Sequence, residues 1–316
     1  MPGPESRVTI ISVCYQSTAV ISNMLASLPS ETPIVLVDNA SEDLAALEAL
    51  AEAHHATLIC NDRNLGFGVA CNQGAAMAET EFLLFLNPDT TLCPTALTEL
   101  VNAAERYPEA SAMNPRITNA RGLPAFMWFS PLMPRSEVMP KGWPPHDQEV
   151  TILQGSSLFV RRSAFEAVGG FDPAIFLYHE DDDLSRRLRA ESGPLMFIHA
   201  ACITHLGGQS SPRQREIAAL KGWHFGRSRV YAMRKHGRPL SFFGSLWDAV
   251  SRLSAFRVLY SPRLRARQWG YFRGVISTLR DGGTSPALGQ PPVVTIRRSR
   301  GNAMSTELPP ETCATD

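Results

Sequence analysis

Apolar positions in the first third of the chain come as short unbroken runs separated by amphipathic segments. Residues 8–13 (VTIISV), 34–37 (IVLV) and 82–86 (FLLFL) have the length and density of strands buried on both faces. Residues 57–60 (TLIC) read as a shorter strand. Between the runs, apolar residues fall at helical spacing: Val20, Ile21, Met24, Leu25 and Leu28, then Leu44, Leu47 and Leu50, with Ser41 as a candidate N-cap. Residues 69–78 read as a helix of small residues, and 94–107 as a helix with proline at its start.

Strand–helix alternation with short connections predicts an α/β fold: a mostly parallel, doubly wound sheet with helices on both faces. Such sheets bind ligands beyond the carboxyl ends of their strands. Polar residues stand at those ends here: Tyr15 and Gln16, Asp38 and Asn39, 61–64 (NDRN), and Asn87 with Asp89. After Tyr107 the periodicity weakens, and the Pro-, Met- and Trp-rich stretch 116–154 reads as loops and short strands. Residues 158–161 read as a strand, 163–168 as a short helix and GGFD as a turn. A helix then opens in an acidic run, and 195–200 read as a strand leading to His205. Residues 223–236 and 240–279 read as helical and basic, and from 281 onward the composition is that of a disordered tail. The expected organisation is a main domain over 1–237, a helical extension over 238–280 and a tail over 281–316.

Composition adds two points. The chain is 44% hydrophobic and 19% charged, enough for a packed core, and its zero net charge argues against nucleic acid as a partner. The balance is uneven, since 221–280 holds thirteen lysines and arginines against Asp248 alone. Within it, Phe242, Phe243, Leu246, Trp247, Val250, Leu253 and Phe256 have helical spacing, with Arg252, Arg257, Arg263, Arg265 and Arg267 nearby. That pattern suits peripheral contact with an anionic membrane face, and equally a helical pair packed on the main domain or on the second subunit of a homodimer. No apolar run reaches the ~18 residues of a spanning helix. The N-terminus has no signal-peptide core, and the six cysteines form no C-x-x-C pair. Buried free thiols and a cytoplasmic location, peripheral on the inner face of the cell membrane at most, are expected.

The candidate chemistry centres on residues 176–189, FLYHEDDDLSRRLR. Glu180, Asp181, Asp182 and Asp183 repel one another unless a metal, arginines or shifted pKa values intervene, although acids also suit a helix N-terminus. Neighbours on a helix point about 100° apart, so the four cannot all face one site. Arg186 and Arg187 are natural partners for Asp183. Asp181 is then the freest to face the crevice, with Glu180 as a neighbour that raises its pKa and improves it as a base. Asp89, in Asn87-Pro88-Asp89, suits Mg²⁺ or Mn²⁺ against a diphosphate, or alternatively an Asx turn. Asp38 suits a nucleotide base or ribose, or a capping turn in DNAS. NLGFG lacks both G-x-G-x-x-G and the P-loop lysine, leaving Asn64 as a ligand contact and Gly66 as a turn glycine. His205 is either structural or a nitrogen ligand beside Asp89.

In this order and spacing, VTIISVCYQS, VDNASED, NLGFGVACNQG, LNPDT, GSSLFVRRSAFEAVGGFD and LYHEDDDLSRRLR resemble glycosyltransferase family 2. The likeness is greatest to bacterial rhamnosyltransferase-type enzymes of cell-surface polysaccharide synthesis, and it covers about 8–237. It implies a GT-A fold, a dTDP- or UDP-linked sugar donor, Mg²⁺ or Mn²⁺, a saccharide or lipid-linked saccharide acceptor, and inverting transfer. It also implies a nucleotide-sugar half over about 8–115 and an acceptor half over about 116–237. On the resemblance, Tyr15, Asp38, Asn39, Asn64, Gly66, Asn72 and Asn87 line the donor pocket. Asp89 is the last acid of the family's D-x-D motif, His205 a further metal ligand, and Asp181 the base of the E-D motif with Glu180. One departure is Asn87, which stands where the first D-x-D acid would be and removes a charge from the metal site. Two rival readings are a sugar-phosphate nucleotidyltransferase and a non-catalytic nucleotide-sugar-binding scaffold. VCYQST lacks the glycine- and basic-rich phosphate loop the first requires; the E-D pair and Asp89 speak against the second.

Overall fold

In the computed structural model, which describes residues 3–207, 214–285 and 293–297 and the backbone of 303–304, the run at the N-terminus forms the strand on which the sheet is built. In chain order the first half comprises β1 (Val8–Cys14), α1 (Thr18–Ala26), β2 (Ile34–Asp38), α2 (Leu44–Ala53), β3 (Thr57–Asn61), α3 (Phe67–Ala75) and β4 (Phe82–Leu86). These strands are parallel in the order β3-β2-β1-β4. The chain steps outward from β1 to β3, then crosses back to place β4 on the other side of β1. The order therefore reverses between β1 and β4, and a crevice opens beyond their carboxyl ends. Alternate residues serve opposite layers. Ile10, Leu36 and Leu84 pack with Ile21 of α1 and Leu47 of α2. Ile11, Val37 and Phe85 pack with Ala70 and Cys71 of α3. Full burial of each large side chain contributes about 1.5–3 kcal/mol, which is why these runs stay in strands.

The second half adds β5 (Thr90–Leu92), α4 (Ala96–Arg106), β6 (Ala112–Asn119), β7 (Gln148–Val150), β8 (Ser157–Arg161), α5 (Arg162–Ala167), α6 (Glu180–Glu191) and β9 (Leu195–His205). Beyond β4 the sheet is mixed: β8 is antiparallel to β4, β6 antiparallel to β8 and β9 parallel to β6. The β4–β8 pairing runs to Leu86↔Ser157, so the turn before β8 arrives at the carboxyl end of β4. β9 bulges where Arg116 pairs with Cys202 directly after Pro115 pairs with Ile198. The strand therefore continues past residue 200 to reach His205, which pairs with Thr90 of β5. One cap differs from expectation. Asp43, not Ser41, accepts from Ala46 N at the start of α2, and the Ser41 Oγ accepts instead from Gln16 N at 3.0 Å.

The basic segment is built into the molecule. α7 (Arg215–Lys235) is followed by α8 (Ser241–Leu253), α9 (Arg257–Tyr260) and α10 (Pro262–Asp281). α10 lies against α7 through a G-x-x-x-G pair on each helix: a Cβ on Gly222, Gly226, Gly270 or Gly274 would fall 2.0–2.6 Å from a facing backbone oxygen. Buried Arg227 donates to Ser277 Oγ, the Asp281 carboxylate and Thr284 O, fixing the far end. α7 in turn packs Ala232 and Met233 against Leu132 and Ile175. The stretch read as a tail contains β10 (Val294–Arg297), antiparallel to β3, with β11 (Ala303–Met304) beside it. Its VVTI run corrects the reading for those residues, because it gives the outer edge of β3 a hydrogen-bonding partner and buries Val294. The remainder of the tail, with Cys313, lies outside the described residues. Cys14, Cys60 and Cys71 are buried free thiols, while half-buried Cys93 and Cys202 are neighbours, with Cys93 N donating to Cys202 O.

Candidate active site

Three loops meet at the β1/β4 crevice, and several of the sequence-predicted residues hold them together. Asn64 Oδ1 accepts from Gly66 N at 2.9 Å, closing a tight turn. Gly66 has φ +91°, and a Cβ there would lie 2.4 Å from Phe176 O, so only glycine fits. Phe67 N donates to the same carbonyl at 3.0 Å. Asn39 donates from Nδ2 to Gly66 O and accepts at Oδ1 from Asn61, which also pairs with Gln73. Asn72 uses both amide atoms on the backbone of Phe171, at 2.8 Å each. Asn39, Gly66 and Asn72 thus bind neighbouring loops. Asp38, buried, accepts from Ser41 N, the capping turn of DNAS. Tyr15, 42% exposed, follows β1, and half-buried Asn87 follows β4 with its backbone tied to Ser156 O and to Thr90.

The loop clamp delivers the acidic run. Phe176 stacks on His224 of α7 at 4.1 Å, and Leu177 O accepts from Ser228 Oγ. Tyr178 and His179 then take φ values of 69° and 67°, two successive left-handed residues that are not glycine. Such conformations cost roughly 1–3 kcal/mol each and persist where the surroundings over-determine them. α6 starts directly afterwards, so all four acids lie in its first turn and point to different neighbours.

Asp183 is fully buried. Arg187 binds its Oδ2 through Nε and Nη2 at 2.9 and 2.7 Å, while His236 and Lys235 reach Oδ1 at 2.8 Å. Burial alone would raise its pKa, but His236, Arg187 and Lys235 outweigh it and hold the carboxyl at about 2. Arg186 instead donates to Leu132 O. Buried Asp182 accepts from His179 Nδ1 at 2.5 Å; within the described residues its Oδ1 and the His179 Nε2 have no hydrogen-bond partner. Glu180 is buried, close enough to Cys71 of α3 to add to the rise that burial gives the thiol's pKa. Burial, with Asp181 and Asp182 nearby, lifts the Glu180 pKa well above the usual carboxylate range.

Asp181 accepts from Gly155 N at 2.8 Å through Oδ2 and from Asp182 N at 3.0 Å through Oδ1. Gly155 belongs to the turn that β8 brings to the end of β4, and a Cβ on it would sit 3.0 Å from both the Asp181 Cβ and Oδ2. Burial and then the Asp182 charge raise the Asp181 pKa to about 6, against the two hydrogen bonds. Asp182 thus acts on Asp181 as a like charge, in addition to the neighbour Glu180 to which the sequence pointed. Gly155 and His179 are residues that sequence reasoning missed, and Asp182, read only as one of the helix-start acids, also acts on Asp181; the signal of the first two was position alone, in QGSS before a strand and in YHED.

Asp89, buried after β4, meets His205 across the β5–β9 pairing, with Oδ1 3.2 Å from Nε2. A carboxylate and an imidazole converging at a ligand crevice fit Mg²⁺ or Mn²⁺, since these ions take remaining ligands from phosphate oxygens and water. Among the described residues no group of three or more His, Cys, Asp or Glu side chains assembles into a self-sufficient metal cage. Lys221 of α7 is also near. Burial lowers its pKa first, Arg263 and Arg267 of α10 lower it further, and Asp89 opposes them.

Residues 9–169 match the family model of glycosyl transferase family 2, half of the chain, and the protein belongs to that family. The mixed sheet and its helices form the GT-A fold, and the protein is a glycosyltransferase. Its similarity is to rhamnosyltransferases. An N-acetylglucosaminyl-diphospho-decaprenol L-rhamnosyltransferase from Mycobacterium tuberculosis is 30% identical over 237 residues, 65% of this chain and 77% of the relative. A mannosyltransferase from Pyrobaculum calidifontis, solved with GDP-Man and Mn²⁺, superposes with a TM-score of 0.53 at 16% identity, covering 89% of this chain and 90% of that one. TarS 1–349 from S. aureus, solved with UDP-GlcNAc, gives 0.52 at 16%, covering 87% and 92%.

Proposed function

We propose that the protein is an inverting rhamnosyltransferase that moves the sugar from a dTDP- or UDP-linked donor to a lipid-linked saccharide in cell-surface polysaccharide synthesis, with Asp181 as general base. The observation that carries the reading is the state of Asp181: a carboxyl with a pKa of about 6, oriented by two backbone N–H groups beside the β1/β4 crevice. A base poised near the working pH accepts a proton without being fully protonated beforehand. Asp181 takes the proton of the acceptor hydroxyl as that oxygen attacks the anomeric carbon, and the nucleoside diphosphate leaves from the opposite face. Tyr15, Asn64 and Asn87 are the residues assigned to the donor, and the loops held by Asn39, Gly66 and Asn72 position them. Asp89 and His205 would hold the divalent cation, whose chemistry is Lewis-acid charge for the departing diphosphate. Likeness to the mycobacterial N-acetylglucosaminyl-diphospho-decaprenol L-rhamnosyltransferase supports the sugar and the acceptor class.

Asp181→Asn tests this. The variant is expected to bind donor and Mn²⁺ as the wild type does, by calorimetry, and to release no nucleoside diphosphate in the presence of acceptor. Wild-type turnover by the variant would sink the assignment. Pyrophosphate exchange with sugar phosphate would instead identify a nucleotidyltransferase.

A further inference from the structure

The face formed by α8 and α9 has no partner among the described residues. Phe243, Trp247, Val250, Phe256, Leu259 and Tyr260 are between 44% and 76% exposed. Phe243, Trp247 and Val250 recur at i, i+4 and i+7, one face of α8, while Leu246 and Phe242 on its other side pack into the cluster of Val230, Ala249, Tyr271 and Val275. Phe256 and Tyr260 continue the surface with their rings 5.0 Å apart. A monomeric soluble protein seldom shows so many large side chains together.

The charge around the patch selects its occupant. Residues 238–280 contain eight arginines and no lysine, against Asp248 as the single acid. That acid is neutralised internally by Arg229, Arg252 and Tyr271 Oη. Arg257, Arg263 and Arg265 are exposed beside the aromatic residues. A second copy of the same face would bring these arginines against each other. An anionic lipid surface satisfies both the apolar side chains and the unbalanced positive charge. No helix among the described residues is long and apolar enough to cross a membrane, so the contact is one of lying on the surface.

We infer that α8 and α9, with the first turns of α10, seat the enzyme on an anionic lipid bilayer with the crevice close to the headgroups. Proximity to the crevice follows from α10 itself, which packs along α7 and places Arg263 and Arg267 near Lys221, itself within reach of Asp89. The inference deepens the lipid-linked acceptor reading and can fail independently of it.

The test is flotation of the full chain with phosphatidylglycerol–phosphatidylcholine vesicles and with phosphatidylcholine vesicles, without donor or acceptor. The protein is expected to float with the anionic vesicles at low salt and to be largely released by high salt. Arg257→Gln and Arg265→Gln should each weaken partitioning about fivefold. Phe243→Ser with Trp247→Ser should abolish flotation while leaving the melting temperature and transfer to a water-soluble acceptor unchanged. Wild-type protein remaining in the soluble fraction overturns the inference. So does equal flotation of the variants, and so does a dimer that the Phe243/Trp247 variant dissociates while no species floats. Flotation of a protein that glycosylates neither vesicle-embedded nor soluble acceptor supports the membrane contact and refutes the acceptor reading.

Discussion

Gly155→Ala isolates the control exerted on Asp181. The added methyl would meet the Asp181 Cβ and Oδ2 at 3.0 Å, too close for carbon and oxygen that do not bond, so the carboxylate must retreat from Gly155 N. That N–H donates to the carboxylate at 2.8 Å and favours its ionised form. A hydrogen bond to a charged group is worth about 1.5–3 kcal/mol. Losing about half of it raises the pKa by roughly one unit, at 1.36 kcal/mol per unit. The sign is fixed: the base must be ionised, so kcat/KM falls as pH drops below the pKa, and the variant's fall should begin about one unit higher. The assay is nucleoside diphosphate release at subsaturating acceptor across pH. Wild type is expected to show an acid limb centred near 6, the value at which Asp181 titrates. Gly155→Ala should show a limb near 7 with recovery toward wild-type rates at alkaline pH. An unshifted limb accompanied by a uniform loss of rate would mean that Gly155 positions Asp181 without tuning it. A limb near 6 in residual Asp181→Asn activity would refute the assignment of that limb altogether.

Two further predictions concern neighbouring groups. Asp183→Asn leaves Arg187, Lys235 and His236 around a neutral side chain and should cost about 3–5 kcal/mol in urea unfolding at neutral pH. Because the folded pKa is lowered from 3.8 to about 2, Asp183 contributes its stability above about pH 4 and loses it as pH falls toward 2. That acid-side loss, about 2 kcal/mol in the wild type, should be missing from the variant; an unchanged acid limb of stability would refute the pairing. Asp89→Ala should reduce the Mn²⁺-dependent gain in donor affinity about tenfold or more, and a full gain in calorimetry would exclude Asp89 as a ligand.

How much of this was legible in sequence depends on the range of the interactions. β1, β2, β3 and β4 were readable because burial on both faces writes an unbroken apolar run. The crevice followed from their order. β10 was not readable, since three β-branched residues at the edge of a polar stretch gain strand structure only from the open edge of β3. The α7–α10 contact was missed although its glycines were in plain view, because G-x-x-x-G becomes a signal only when the facing helix carries another. For the site, the motifs located the right stretches but could not divide the labour within them. Asn39, Gly66 and Asn72 occupy donor-motif positions, yet their polar groups are bonded to the backbone or side chains of neighbouring loops.

The acidic run shows why that division needs three dimensions. Sequence spacing says only that four carboxylates fan out around a helix start, and it correctly paired Asp183 with an arginine. What separates their chemistry is what each meets from elsewhere in the chain. Asp183 meets Arg187 one turn on, and Lys235 and His236 from the end of α7, and becomes a permanent anion that anchors that helix. Glu180 is buried near Cys71 of α3, and that burial, with Asp181 and Asp182 close by, holds its pKa well above the usual carboxylate range. Asp182 meets His179 and, after burial, is the next cause that raises the pKa of Asp181. Asp181 alone meets a backbone donor across the crevice. One turn of helix thus combines an anchor, a buried acid of raised pKa, an acid held by His179 and the proposed base. Moving any of them by one residue would rotate it about 100° into another's surroundings and change the partners it meets.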